Sequence, residues 1–552
     1  MRRLRIGVLE IISDRASSVF GRVHNFFFNK QYASIMPQVV SVWCKSLGHQ
    51  VTYNTYYGQK DIWSLFPGDL DFLFVSCPTF LAHLAYAVAR RASKLGITTV
   101  IGGPHAKAYP TDCLRFFDVV VGDCNKELLD EILRSKPVGQ AVSSAPPTEF
   151  PLVEERLDEI KRAHFYGGRP LFGSMIPLLA STGCPYTCNF CTDYSSVYRM
   201  TDPERLVHDL RFINRELPES TVVFHDPNFG VKFDEVLDAF ERAENRNSYG
   251  IQVSLSVLKK PGRLKRLNET GCNYAACGIE SLSGFNGKQG TSRKSTIHAN
   301  RIELEGDFKE VARALGLSQA NIIFGLDQDE GDDLVEEYKS FILSGAATLI
   351  NLSVPLPYGA TPLYEEMRQS GRILPLPFLF VDEGTLAMRI LNYGPVEYLK
   401  KAMVLFEAET SVRSLYEAAS YSSPDARPAR YAANRYARAG AVAMTKMDDR
   451  WAVIPRLKEQ IKAFSDRDMI DFYDGRTTAL PAYYRRILTK RMAPFRGLIE
   501  VDELLSPRLD PHPPVEKGAV NRLLKVVHAN RGHDRSPRQQ PYGEKQAAGV
   551  QH

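Results

Sequence analysis

Across residues 1–375, short apolar runs bounded by turn residues alternate with amphipathic stretches. That alternation restricts the chain to an α/β architecture of parallel strands covered by helices. In residues 1–140 the apolar runs are "RIGVLEI" (5–11), "DFLFVSC" (71–77), "TTVIGG" (98–103) and "DVVVGD" (118–123). Between them lie helical patterns such as "AHLAYAVARRASKLG" (82–96), where Gly96 supplies a stop. The expected product is a doubly wound parallel sheet. Ligands of such sheets sit beyond the carboxyl ends of the strands, here at Ser76, Gly102, Gly103, His105, Gly122 and Asp123.

Residues 141–175, with "SSAPPTEFP" and "YGGRP", read as a linker. The alternation resumes over 176–375, with strands expected at 176–181, 221–226, 251–257, 273–281, 320–326 and 347–357. Six such units in series predict a (β/α) barrel or part of one, whose working face is the carboxyl end of its strands. Residues 376–527 turn to helical patterns rich in Ala, Arg and Tyr, and 528–552 have almost no apolar content and read as a disordered tail.

The net charge of +5 gives no reason to expect a nucleic-acid partner. No apolar run approaches the roughly 18 residues a membrane span needs. The basic start "MRRLR" leads into an apolar run that breaks at Ser13–Asp14–Arg15, which reads as a first strand rather than a signal peptide. Nine cysteines, an odd number, with no secretory signal point to a reducing, cytoplasmic setting.

Three of those cysteines crowd into "STGCPYTCNFCTDYSS" (181–196), just after the first strand of the second alternating region. A disulfide does not suit a reducing compartment. A structural zinc site needs four closed ligands, commonly as two matched pairs, and Cys272 and Cys277 do not supply the second pair. An iron–sulfur cluster takes its thiolates from a compact loop, and three cysteines leave one iron open for another ligand. Cys44, Cys77, Cys113 and Cys124 share no metal spacing and are expected to be buried thiols.

The stretch "GCPYTCNFC" resembles the cluster loop of radical S-adenosylmethionine (SAM) enzymes, with Cys184, Cys188 and Cys191 at the three cluster positions and the aromatic Phe190 before the last. The resemblance implies a 4Fe-4S cluster whose open iron chelates SAM, and electron transfer that cleaves SAM to methionine and a 5′-deoxyadenosyl radical. "DFLFVSCPT…VIGGPHAKAYP…FDVVVGDCNKELLDEIL" is similar to the cobalamin-binding domain preceding the barrel in cobalamin-dependent members. "VVFHDPNFG", "CGIES" and "LPYGATPLYEEMRQSGRIL" match later landmarks of that subgroup, so the resemblance covers about residues 1–375.

Two departures stand out. Where the subgroup has Gly-x-Pro-Gly-Glu-Thr after the fifth barrel strand, this chain has "GLDQDEGDD" (325–333). The wider cobalamin family has an Asp-x-His-x-x-Gly loop whose His binds cobalt from below. Here "SDRASSVFG" keeps Asp14 but has Ala16 at the His position, so the lower face of the cobalamin is expected to lack a side-chain ligand. His24, His49, His83 and His105 are the histidines of the first domain that bear on this, and His105 reads as a loop residue.

The resemblance also assigns roles. Asp226, Asn228, Ser254, Glu280 and Ser281 are candidate SAM contacts at strand ends, each with a bland alternative as a loop cap, barrel filler or salt bridge. Ser254 and its neighbour Ser256, both expected on the third strand, are the weaker candidates, since alternating small polar residues also fill a barrel interior. Ser76, Gly102 and Gly103 are candidate cobalamin contacts, the glycines allowing close backbone approach. The implied function is methylation of an unactivated carbon in a small molecule, with an electron donor such as flavodoxin or ferredoxin as partner. The alternatives are a radical cyclase, oxidase or rearrangement enzyme and, more remotely, a non-catalytic metal-binding protein. Cobalamin on the first sheet would have to face the barrel mouth for cobalt and cluster to share one pocket.

Overall fold

The computed structural model describes residues 2–505, apart from 17, 60, 148, 171–173, 195, 219, 285–295, 332, 383, 415 and 417–427. The tail expected at 528–552 lies outside the described residues.

The first sheet has six parallel strands: β1 (Arg5–Ser13), β2 (Gln50–Tyr57), β3 (Phe72–Ser76), β4 (Thr98–Gly102), β5 (Val119–Val121) and β6 (Gln140–Val142). Their order is β2-β1-β3-β4-β5-β6. The chain therefore winds one way from β1 and returns past it to β3, which makes the β1/β3 gap a topological switch point. β1, β3, β4 and β5 are the four apolar runs seen in the sequence. β2 and β6 are silent there because they are the two edges. Buried on fewer sides, "QVTYNTYY" and "QAV" carry no continuous apolar run.

The second sheet runs β7 (Met175–Leu178), β10 (Thr221–Phe224), β11 (Tyr249–Gln252), β12 (Cys272–Glu280), β13 (Leu317–Ile323) and β14 (Leu349–Ser353), all parallel and in sequence order. Between β7 and β10 lies a short antiparallel pair, β8 (Ser181–Thr182) and β9 (Arg199–Met200). Along β13, Ala320 and Ile322 are buried in the core with Phe308 and Phe341 of the covering helices, while Gln319 and Asn321 alternate onto the other face. That second face is the inside of a partial barrel.

The third barrel strand corrects the sequence reading. It ends at Gln252, and Leu255–Leu258 is a helical turn with Ser254 at its N-cap. Ser254 and Ser256 therefore lie beyond the strand and do not fill the barrel interior. Serine competes for local backbone hydrogen bonds and favours such caps over strand interiors.

Residues 141–175 are more than a connection. They contain the helix Leu157–His164, tied down by a buried polar layer. Arg156 is buried and donates to Gln38 Oε1 (2.8 Å), and Ser41 and Lys45 both donate to Glu159 Oε1 (2.7 and 2.5 Å). After the barrel the described residues include the helices Pro395–Glu409, Pro428–Ala463, Arg467–Tyr473 and Ala482–Met492. The first two are pinned by a buried Lys446–Glu409 ion pair at 2.7 Å, with Ser414 accepting a second Lys446 hydrogen bond at 2.9 Å. Among the described residues no helix is long and apolar enough to cross a membrane.

Candidate active site

The three clustered cysteines lie on a loop whose two ends are clamped together. β8 pairs with β9, and Thr201 N–H donates to Ala180 C=O at 2.8 Å. Gly183 has φ of 70°, and a Cβ there would strike the Val197 carbonyl across the clamp, so only glycine fits. Inside the loop, Cys184 N–H donates to Ser196 Oγ (2.9 Å), Cys191 N–H to the Cys188 carbonyl (3.1 Å) and Asp193 N–H to Cys191 Sγ (3.4 Å). Leu363 N–H donates to the Asn189 carbonyl at 2.9 Å, tying the loop to the far end of the barrel.

Burial raises the Cys184 thiol, opposed by the Tyr186 N–H, and raises Cys191 to about 11. The neighbouring cysteines add to both shifts, as a set of thiols aimed at one centre should. Among the described residues no three His, Cys, Asp or Glu side chains converge tightly enough to hold a single metal ion. A cluster spreads its thiolates over separate irons, so its ligands stand further apart than those of one ion. Three thiols, backbone N–H donors and a rigid loop fit a 4Fe-4S cluster with one open iron.

Asp226, buried, sits beneath the loop's approach. Its carboxylate accepts from Ala180 N–H at 3.0 Å and from the Ser181 hydroxyl. Burial pushes its pKa up to about 7, although the Ser181 hydroxyl and the Ala180 and Ser181 N–H groups pull it back. Asn228 accepts from Gly230 N–H (2.9 Å) and donates to Ser254 Oγ (3.0 Å), joining the loops after β10 and β11.

Glu280 ends β12 next to a register shift and has φ of 57°. A left-handed glutamate at a bulge is strained by about 1–3 kcal/mol, and such strain concentrates at functional sites. The Ser281 hydroxyl donates to Asp329 Oδ1 (2.6 Å) and accepts from Ser283 N–H (3.0 Å) and Tyr338 OH (3.2 Å). Asp329 belongs to "GLDQDEGDD", and its other oxygen accepts from the N–H groups of Gly325 (3.0 Å) and Leu326 (3.2 Å). Burial lifts Asp329 to about 6 against these donors. Arg372 grips Asp327 with two hydrogen bonds of 2.7 Å, and the Tyr398 ring lies where a Cβ on Gly325 would be. The loop that departs from the subgroup pattern is thus committed to internal structure.

A polar file inside the barrel had no counterpart among the sequence motifs. Tyr274 OH donates to Gln319 Oε1 (2.7 Å), and Gln319 Nε2 donates to Asn321 Oδ1 (2.7 Å). Alternation on β13 is the available signal, hidden because polar residues between apolar ones look the same whether they face solvent or a lumen.

In the first sheet, Gly103 has φ of 85°, and a Cβ there would collide with Ser76 Oγ. A Cβ on Gly102 would meet nothing closer than the Val121 carbonyl oxygen, at 3.7 Å, so Gly103 alone is sterically required. His105, read as a loop residue, lies instead in the helix Pro104–Ala108. It is buried and bonded to Tyr86 OH at 2.6 Å, and burial holds its pKa near 3. His49 Nδ1 accepts from Leu4 N–H at the opposite end of the sheet from the ligand edge. Cys44, Cys77 and Cys113 are buried and Cys124 is half-buried, with thiols raised by burial.

The carboxyl ends of the two sheets meet. Lys107 Nζ, after β4, lies 3.8 Å from Asp123 Oδ1 after β5 and 4.0 Å from Asp193 Oδ1 in the cysteine loop. Tyr109 OH accepts from Gly359 N–H, after β14, at 3.1 Å.

No protein-family model matches the chain. It is 27% identical to the bacteriochlorophyllide d C-8(2)-methyltransferase of Chlorobaculum tepidum over 378 residues, 64% of this chain and 81% of that one. It is 25% identical to the hopanoid C-2 methylase of Rhodopseudomonas palustris over 330 residues, 55% of this chain and 58% of that one. Among solved structures, a radical SAM methyltransferase, TsrM, from Kitasatospora setae, with cobalamin and a 4Fe-4S cluster bound, aligns with a TM-score of 0.47 at 14% identity, covering 67% of this chain and 78% of that one. The chain is thus similar to radical SAM methyltransferases, and its three-cysteine loop is of the kind that holds a 4Fe-4S cluster.

Proposed function

We propose that the enzyme methylates an unactivated carbon of a small polycyclic molecule, of the tetrapyrrole or hopanoid kind on which its relatives act. The observation that supports this is the meeting of the two strand-end faces at Lys107, where a cobalamin on the first sheet would face the cysteine loop. The bound cofactors supply a hydrogen-abstracting 5′-deoxyadenosyl radical and a transferable methyl group. In this reading Cys184, Cys188 and Cys191 hold the cluster. Asp226 positions the loop, Ser281 anchors Asp329, and Asn228, Ser254 and Glu280 form the rim that holds SAM. Ser76, Gly102 and Gly103 take the cobalamin tail, and an electron donor such as flavodoxin or ferredoxin supplies reducing equivalents.

The test is an anaerobic reaction with SAM deuterated in its methyl group and a panel of tetrapyrroles and hopanoids. A product carrying the intact labelled methyl, formed alongside 5′-deoxyadenosine, is expected. A cyclised, oxidised or rearranged product without label would replace methylation with the second class of radical chemistry.

A further inference from the structure

At the β1/β3 switch point three polar side chains come together from distant parts of the chain. Asp14 follows β1. His83 stands in the first turn of the helix Ala82–Lys94, entered from β3, and Arg491 comes from the helix Ala482–Met492 of the C-terminal region. His83 Nε2 is 3.7 Å from Asp14 Oδ2, too far for a hydrogen bond. Its ring is 1% exposed, yet neither nitrogen has a hydrogen-bond partner. Arg491 Nη1 is likewise buried without a partner. Arg491 Nη2 lies 3.9 Å from Asp382, which already holds Arg456 at 2.6 Å. Orphaned buried polar groups are costly and call for a reason.

The electrostatics join the three. Burial holds His83 below its ordinary value, with Asp14 opposing and Arg491 reinforcing. Burial also pushes Asp14 up, but the neighbouring His83, the Arg15 N–H and the Arg491 charge outweigh it, so the carboxylate is ionised. Asp14 is half exposed and His83 is sealed. The pair therefore presents a carboxylate to the crevice with an imidazole behind it.

We propose that Asp14 and Arg491 form a seat for an amide arm of the corrin ring, with His83 as a positioning residue, so that the C-terminal region completes the cobalamin site. An amide offers a carbonyl to the unused Arg491 N–H and an N–H to the Asp14 carboxylate. A phosphate would satisfy the arginine but be repelled by the aspartate. The seat rests on cobalamin occupying the first sheet.

The experiment titrates the corrinoid-free full-length enzyme anaerobically by visible absorbance. It uses cobalamin and cobinamide, which keeps the amide arms but lacks the nucleotide tail. Arg491→Ala and Asp14→Ala should each weaken both corrinoids by the same factor, about tenfold for one lost charged hydrogen bond. Iron content should not change. His83→Ala should weaken both corrinoids less, and His83→Gln should recover part of that loss. A loss confined to cobalamin would mean the groups meet the tail instead, and unchanged affinities would remove the seat; both overturn it. If Arg491→Ala does not fold, the half-exposed Asp14→Ala decides alone. A wild-type enzyme that binds neither corrinoid would bring down the cobalamin assignment itself, a result distinct from unchanged variants.

Discussion

Single residues carry the sharpest expectations. Replacing Cys184, Cys188 or Cys191 by alanine should abolish SAM cleavage and remove most bound iron, whereas Cys272→Ala and Cys277→Ala should keep it. Equal iron loss from either of the last two, measured on reconstituted protein, would break the three-ligand assignment. Glu10 of β1 gives a pH signature. Its Oε1 accepts from the Ser34 N–H (2.8 Å) and hydroxyl (2.6 Å), while Oε2 and the Tyr53 hydroxyl are buried without hydrogen bonds. Burial raises Glu10 from 4.5 to about 7, against the pull of Ser34. The folded state therefore binds the proton more tightly than the unfolded chain. Its stabilisation is complete below pH 4.5 and disappears as pH rises through about 7. That difference amounts to about 3 kcal/mol. Glu10→Gln keeps an acceptor for Ser34 and supplies an N–H toward Tyr53. Thermal unfolding of this variant should lose much of the stability decline between those pH values that wild type shows; an identical decline would exclude Glu10 as its source.

At the level of elements, legibility in the sequence follows burial. Strands covered on both faces announce themselves as apolar runs, but the edge strands Gln50–Tyr57 and Gln140–Val142 do not. The third barrel strand is shorter than its pattern suggests because Leu255, Val257 and Leu258 are as apolar in a helical turn as in a strand. The cysteine loop is legible because its ligands are neighbours in sequence. The contacts that hold it are not, since Asp226 reaches Ala180 and Ser181 from 46 and 45 residues away. Pairings at that range leave no periodicity. This support predicts that Asp226→Asn, which turns one acceptor into a donor, costs about 1–3 kcal/mol at the loop's approach. Iron should then be lost to a chelator faster than from wild type while the overall fold, followed by far-ultraviolet circular dichroism, stays the same. Chelation at the wild-type rate would reduce Asp226 to a bystander.

For the molecule as a whole, the question of the lower cobalt face turns on the histidines of the first domain, of which His24 is buried in the helix Val19–Phe27 and stacked against Phe28. His105 is committed to Tyr86, and His49 lies at the other end of the sheet, while His83 alone stands beside Asp14. With its ring sealed behind that carboxylate, His83 should not reach cobalt. Electron paramagnetic resonance of the cobalt(II) form should show no nitrogen superhyperfine splitting. A splitting that vanishes on replacing His83, His24, His49 or His105 by alanine would make that histidine the lower ligand and reverse this reading.

β7 and β14 stand at opposite ends of the second sheet's strand order, each with one neighbour among the described residues. A closed barrel has its girth set by strand number and shear, so widening it means breaking a ladder. Here the strands form a gutter whose rims can separate without surrendering any inter-strand hydrogen bond. The breadth of the mouth is therefore not fixed by strand pairing.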